Sequence, residues 1–160
     1  MRIKDIVDED FINYNTPSMF IALGECNWKC CIEANIPTAT CQNSKLAKQK
    51  NIEISESIIF ERYVANKITH SIVIGGLETM TMFSDIVSLI SYFRRNNVDD
   101  YFVIFTGYYE NEILEQISEL AKFKNIIVKF GRYKPNQIPH LDKILGVNLV
   151  SDNQYAKTIS

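Results

Sequence analysis

Short runs of apolar residues recur along the chain, and between them apolar positions spread out to helical spacing. Ser18-Met-Phe-Ile-Ala-Leu23, Ser71-Ile-Val-Ile74, Tyr101-Phe-Val-Ile-Phe105 and Asn125-Ile-Ile-Val-Lys-Phe130 read as short strands buried on both faces, and Val147-Asn-Leu-Val150 as a further one. Three helices fall between them. Ser55 is a suitable N-cap for Glu56–Asn66, with Ile58, Ile59 and Tyr63 on an apolar face. Met82–Asn96 places Phe83, Ile86, Val87, Ile90 and Phe93 on one side, and Glu110–Phe123 does the same with Ile113, Leu114, Ile117 and Leu120.

Strands apolar on both faces and separated by helices imply βα units, a parallel sheet and right-handed crossovers. The expected class is therefore α/β, an open parallel sheet flanked by helices. Functional residues in such sheets gather at the carboxyl ends of the strands. The unusual segments follow strands here: a cysteine-rich loop after the first, Gly75-Gly76 after the second, and Thr106-Gly107-Tyr108 after the third. With no repeat, low-complexity stretch or Pro/Gly-rich linker, residues 1–160 are expected to form one domain.

Composition narrows the field. Apolar residues make up 46% and charged residues 22%, with a net charge of -2, which gives no reason to expect a nucleic-acid or membrane-surface binder. The N-terminus is acidic, without the apolar core of a signal peptide, and no apolar run approaches the ~18 residues of a membrane span. A cytoplasmic protein is expected. In a reducing compartment, clustered thiols more often bind metal than form disulfides. All four cysteines lie together, at Cys26, Cys30, Cys31 and Cys41.

Thiolates are soft ligands for iron–sulfur clusters, zinc and Cu(I). Cys30 and Cys31 are adjacent, and neighbouring side chains seldom reach one metal without strain, so three ligands and a spare thiol are the easier arrangement. A [4Fe–4S] cluster held by three cysteines leaves one iron free for a small molecule. Four would close the shell, as in a zinc site or electron carrier. Spacing alone does not separate iron from zinc.

A resemblance bears on that choice. Cys26-Asn-Trp-Lys-Cys30 resembles the first half of the CxxxCxxC motif of radical S-adenosylmethionine enzymes. Glu33 stands where that motif has its third cysteine, and Cys41-Gln-Asn resembles the third cysteine of the small radical activases. Ser71-Ile-Val-Ile-Gly-Gly-Leu-Glu78 is similar to the family's strand–Gly-Gly-Glu segment, with Leu77 inserted and Thr79 in place of proline. Phe105-Thr-Gly-Tyr108 and Leu149-Val-Ser-Asp-Asn-Gln154 resemble segments of the anaerobic ribonucleotide reductase activating proteins, a glycyl-radical activase group.

The resemblance implies a partial, barrel-like (β/α) sheet of the radical S-adenosylmethionine type, a [4Fe–4S] cluster on Cys26, Cys30 and Cys41, and S-adenosylmethionine bound by Gly75, Gly76, Glu78, Thr106 and Tyr108. It further implies reductive cleavage to a 5′-deoxyadenosyl radical, an external electron donor of the flavodoxin or ferredoxin type, and a glycyl-radical enzyme as protein substrate. No catalytic residue beyond the cluster ligands is implied. The competing readings are a small-molecule radical enzyme of the deazapurine-synthesis type and a non-enzymatic four-cysteine metal or electron-transfer module. Trp28 lies inside the cysteine loop, where it would shield a cluster from solvent. Gly131-Arg-Tyr-Lys134 reads as a solvated loop whose Arg132 and Lys134 are within chain reach of a cofactor carboxylate or a partner surface, and His70 and His140 read as structural or solvated.

Overall fold

The computed structural model describes residues 1–160. A long strand β1 (Arg2–Asp10) precedes β2 (Ser18–Leu23). The cysteine loop then carries two short helices, α1 (Lys29–Ala34) and α2 (Ser44–Ala47), and the two-residue strand β3 (Ile52–Glu53). Three βα units follow in order: α3 (Glu56–Ala65), β4 (Ser71–Gly75), α4 (Phe83–Arg95), β5 (Tyr101–Phe105), α5 (Leu114–Leu120) and β6 (Ile126–Phe130). The chain closes with a hairpin, β7 (His140–Asp142) and β8 (Val147–Leu149), and an edge strand β9 (Tyr155–Thr158).

The seven-stranded sheet has the order β3-β1-β2-β4-β5-β6-β9. Its middle is parallel, from β2 to β6, in a register that pairs Ile72 with Met19 and Phe102 and Ile126 with Phe102. Both flanks are antiparallel, so the sheet is mixed and open rather than wholly parallel. β1 did not announce itself, because a register shift between Ile3 and Asp5 sets its buried Ile3 and Ile6 three positions apart, with acids at Asp5, Asp8 and Glu9 among them. Val147–Leu149 is a strand as expected, but it pairs with β7 outside the main sheet.

β2, β4, β5 and β6 lie side by side in chain order, so each helix returns on the same face. That face holds the main core: Ile72, Ile74, Phe102, Ile104, Ile126 and Val128 pack with Ile59, Ile86, Ile90 and Phe93 of the helices. Alternation along each strand sends Val73, Val103 and Ile127 to the opposite face, where the hairpin residues Leu145, Val147 and Leu149 and Tyr14 of the β1–β2 loop pack with them. The helix faces were read with two errors. Ile58 is 52% and Leu114 61% exposed, since each sits one position, about 100°, from the buried Ile59 and Ile113. No helix is long and apolar enough to cross a membrane.

Phe93 is the centre of the helix-side core, with its ring edge-on to Phe60, Tyr63 and Phe102 at 5.1, 5.3 and 5.3 Å. Phe93→Ala is expected to lower unfolding free energy by about 3–5 kcal/mol in urea titration, whereas Ile58→Ala is expected to change it by no more than about 0.5 kcal/mol.

Candidate metal centre

Every strand of the parallel middle contributes its carboxyl-end loop to one cavity of about 130 Å³, lined by all four cysteines. After β2 the chain passes Cys26 and enters α1 through Trp28, which adopts the left-handed conformation at φ 58°. Cys30 and Cys31 are successive residues of α1 and point about 100° apart. Cys30 faces Gly107: a Cβ there would lie 2.8 Å from Cys30 Sγ, so only glycine admits this approach. Asn35, left-handed at φ 49°, ends α1 and reverses the chain. A short 3-10 turn over Thr38–Thr40 then returns Cys41 to the cavity wall. The ten residues between Cys30 and Cys41 are thus a folded excursion. Asn43 pins its far end, its side-chain amide donating to Gly76 O.

The sulfur atoms have donors waiting. The Trp28 N–H donates to Cys26 Sγ at 3.3 Å and the Asn43 N–H to Cys41 Sγ at 3.4 Å. Cys31 is buried. Burial pushes the thiols of Cys26, Cys30 and Cys31 up from their ordinary values, so their thiolates need a bound cation. No three His, Cys, Asp or Glu side chains converge as ligands of one ion do. An iron–sulfur cubane makes no such demand, since each of its cysteines binds a different iron. Free thiols around one partly enclosed cavity, with N–H groups aimed at sulfur, fit such a cluster.

Of the other expected site residues, Gly76, Glu78 and Thr106 line the cavity. Gly76 (φ 80°) is pressed between Ala22 and Leu46, where a Cβ would come within 2.9 Å of Leu46 Cδ2. Glu78 is buried and accepts from Thr106 Oγ1 at 2.6 Å, Met80 N at 3.0 Å and Gly107 N at 2.9 Å. Two of those bonds end on Oε1 and one on Oε2, which leaves Oε2 one acceptor site. Gly75 completes β4 beside Phe20 and Phe105 and does not line the cavity. Tyr108 also lies outside it, its hydroxyl accepting from Asn27 Nδ2 at 2.7 Å. Trp28 is in the wall, and Ser151–Gln154 braces the cavity edge, with Gln154 Nε2 donating to Gly131 O at 3.4 Å.

Two residues stand differently from their reading in sequence. Lys129 is the one polar residue of the otherwise apolar strand β6. It is buried in the cavity wall on the face opposite the helices, with only Gly131 O as acceptor, at 3.3 Å. Burial pushes its ammonium down to about 8, against the pull of Cys30 and Glu78. Arg132 is no solvated loop residue either; it is 4% exposed. Its guanidinium forms paired bonds of 2.7 Å to Glu33 and to Glu112, donates to Gly107 O at 2.6 Å, and lies against the rings of Tyr108 and Tyr109. Lys29 joins the group through Glu112 at 2.7 Å.

Fold and donor set together define an α/β metalloprotein with a thiolate centre at the carboxyl edge of its sheet. The chain belongs to the 4Fe-4S single cluster domain family, whose model matches residues 18–153. A [4Fe–4S] cluster is the cofactor that this membership supports. No curated protein and no solved structure matches the chain.

Hydrogen bonds from Arg132, then from Lys29 and the Tyr109 N–H, hold the Glu112 carboxyl down at about 2 against an ordinary 4.5. A depressed folded value stabilises the fold above the unfolded value and loses that contribution as pH falls toward the folded one. Glu112→Gln is therefore expected to be less stable than the parent above pH 4.5, with the two urea midpoints converging as pH approaches 2.

Proposed function

We propose that the protein holds a [4Fe–4S] cluster on Cys26, Cys30 and Cys41, binds S-adenosylmethionine against it, and uses the resulting radical to activate a glycyl-radical enzyme. What carries the reading is the convergence of the cysteine loop with the 76–78 and 106–107 loops on one cavity whose wall also holds a buried lysine. When bound, such a cluster supplies an electron and an open iron for reductive cleavage of S-adenosylmethionine to methionine and a 5′-deoxyadenosyl radical.

The protein's own residues divide the remaining work. Glu78 has one acceptor site for an ammonium group, and Lys129 has donors for a carboxylate. The two are thus suited to opposite ends of an amino-acid moiety. Gly76 lets the β4 loop pack closely on Ala22 and Leu46 while its backbone lines the cavity. Trp28 and the packed strand ends limit water around the sulfurs, which tunes a cluster's potential. A small cavity opening at a sheet edge suits a substrate presented by another protein, and an external one-electron donor is required. Cys31 would be the spare thiol, turned away from Cys30 by the helix. One observation favours a second reading: all four cysteines line the same cavity, as a closed four-cysteine electron carrier would need.

Electron paramagnetic resonance of the anaerobically reconstituted, reduced protein separates the two. The expected result is a [4Fe–4S]⁺ signal that changes when S-adenosylmethionine is added, retained in Cys31→Ser and lost in Cys41→Ser. A signal indifferent to S-adenosylmethionine, with all four cysteines needed for iron, would establish the electron carrier instead; uptake of zinc alone would end both. Lys129→Met is expected to keep the cluster and weaken S-adenosylmethionine binding roughly tenfold, the loss of about one charge-assisted hydrogen bond, as read by equilibrium titration of the same signal.

A further inference from the structure

Arg132 satisfies all five of its N–H donors within the protein. Nε and Nη2 donate to the two oxygens of Glu33, Nη1 and Nη2 to the two oxygens of Glu112, and the second Nη1 hydrogen to Gly107 O, at 2.6–2.7 Å. Nothing remains for a ligand or partner protein. The three acceptors belong to three different places in the chain. Glu33 is on α1, one turn beyond Cys30; Gly107 is the residue against which Cys30 Sγ rests; Glu112 lies in the turn before α5 and also holds Lys29, the neighbour of Cys30. Tyr108 and Tyr109 close over the guanidinium, with centroids at 5.4 and 4.8 Å.

We propose that Arg132 is the positioning residue of Cys30, fixing the distance between α1 and the β5 end loop and hence where the Cys30 sulfur stands in the cavity. A fork with five satisfied donors permits one orientation of its partners, which apolar packing alone does not. The other thiols have separate anchors. Cys26 is tied to the β4 loop through Glu78 N–H···O=C Glu25 at 3.0 Å, and Cys41 through Asn43 to Gly76. The inference concerns the sulfur atom itself and holds whichever metal the site takes; only its bearing on radical chemistry rests on the function proposed above.

The test uses metal-free, reduced, full-length protein at one fixed pH. Iodoacetamide alkylation is followed for each cysteine separately by peptide mass spectrometry. In Arg132→Gln, Cys30 is expected to react at least about tenfold faster while Cys26 and Cys41 keep their parental rates, the scale set by losing paired charge-assisted bonds worth more than about one decade. Glu33→Gln keeps a hydrogen-bonding group of the same shape and serves if the first variant does not fold; a rise of about threefold, again confined to Cys30, is expected from one weakened pair. Equal acceleration of Cys26, Cys30 and Cys41 would show that Arg132 only stabilises the fold, and unchanged rates would show that Cys30 is held by something else. Either result overturns the proposal. Neither bears on whether the reduced holoprotein responds to S-adenosylmethionine.

Discussion

The parallel strands lie in the sheet in the order in which they occur in the chain, and the location of the site follows from that constraint. A crossover that always steps to the next strand in the same direction returns every helix to the same face. α3, α4 and α5 therefore bury one side of the sheet, and the opposite side is left to a short hairpin and the strand-end loops. Four consecutive carboxyl ends then open onto one edge. Loops distant in sequence, at 24–43, 76–78, 105–107 and 129–133, become neighbours, and only the first of them is long.

Proximity of loops does not by itself place sulfur atoms. Their placement depends on the close approaches that the backbone tolerates. Gly107 lets Cys30 and Glu78 meet over the β5 end, and a single methyl there would strike both. Glu78 in turn is held by Thr106 and the Gly107 N–H, so the acid and the thiol share a floor. The wall opposite is built from Asn43 and Leu46, packed on Gly76 by the chain's return from its excursion. Burial that raises the thiol pKa values and N–H groups aimed at sulfur act in opposite senses on the free protein. A bound cation reconciles them, since the dry surroundings then strengthen its hold on thiolate.

The parallel strands could be read in sequence because burial on both faces leaves an unbroken apolar run, as in Ile72-Val-Ile74 and Phe102-Val-Ile104. The cysteine loop was legible for a different reason, since thiols are scarce and their spacing is chemical. β9 escaped because an edge strand carries charge, and β1 because a register shift between Ile3 and Asp5 sets its buried Ile3 and Ile6 three positions apart, so that no two-residue period survives. Lys129 had a signal that went unused. It stands an even number of positions from Ile127 in β6 and must share its face, the one without helices, at the end where the site lies. Arg132 had none, because its partners are 99 and 20 residues away and only the sheet order brings them together. Tyr108, which the motif resemblance assigns to the cofactor, has its ring outside the cavity beside Lys29 and Arg132.

The departure at Glu33 and the excursion to Cys41 are two sides of one arrangement. Position 33 lies three residues after Cys30, nearly one helical turn on, but it flanks Arg132 rather than the cavity. A thiol there could not accept the guanidinium fork, and a carboxylate that does accept it cannot serve a soft metal. With Glu33 committed to holding α1 in place, the third sulfur has to arrive from elsewhere. The left-handed turn at Asn35 is what makes that possible, reversing the chain so that Cys41 reaches the cavity from the side of β4. An ion-pair cluster whose guanidinium is buried but whose carboxylates reach solvent is weak evidence for stability, because water screens the pairs and apolar packing holds a loop at least as well. Its value is directional. Two carboxylates and a carbonyl around one planar fork admit a single geometry, and a site whose sulfurs come from opposite ends of a folded excursion depends on that geometry more than one whose ligands share a tight loop.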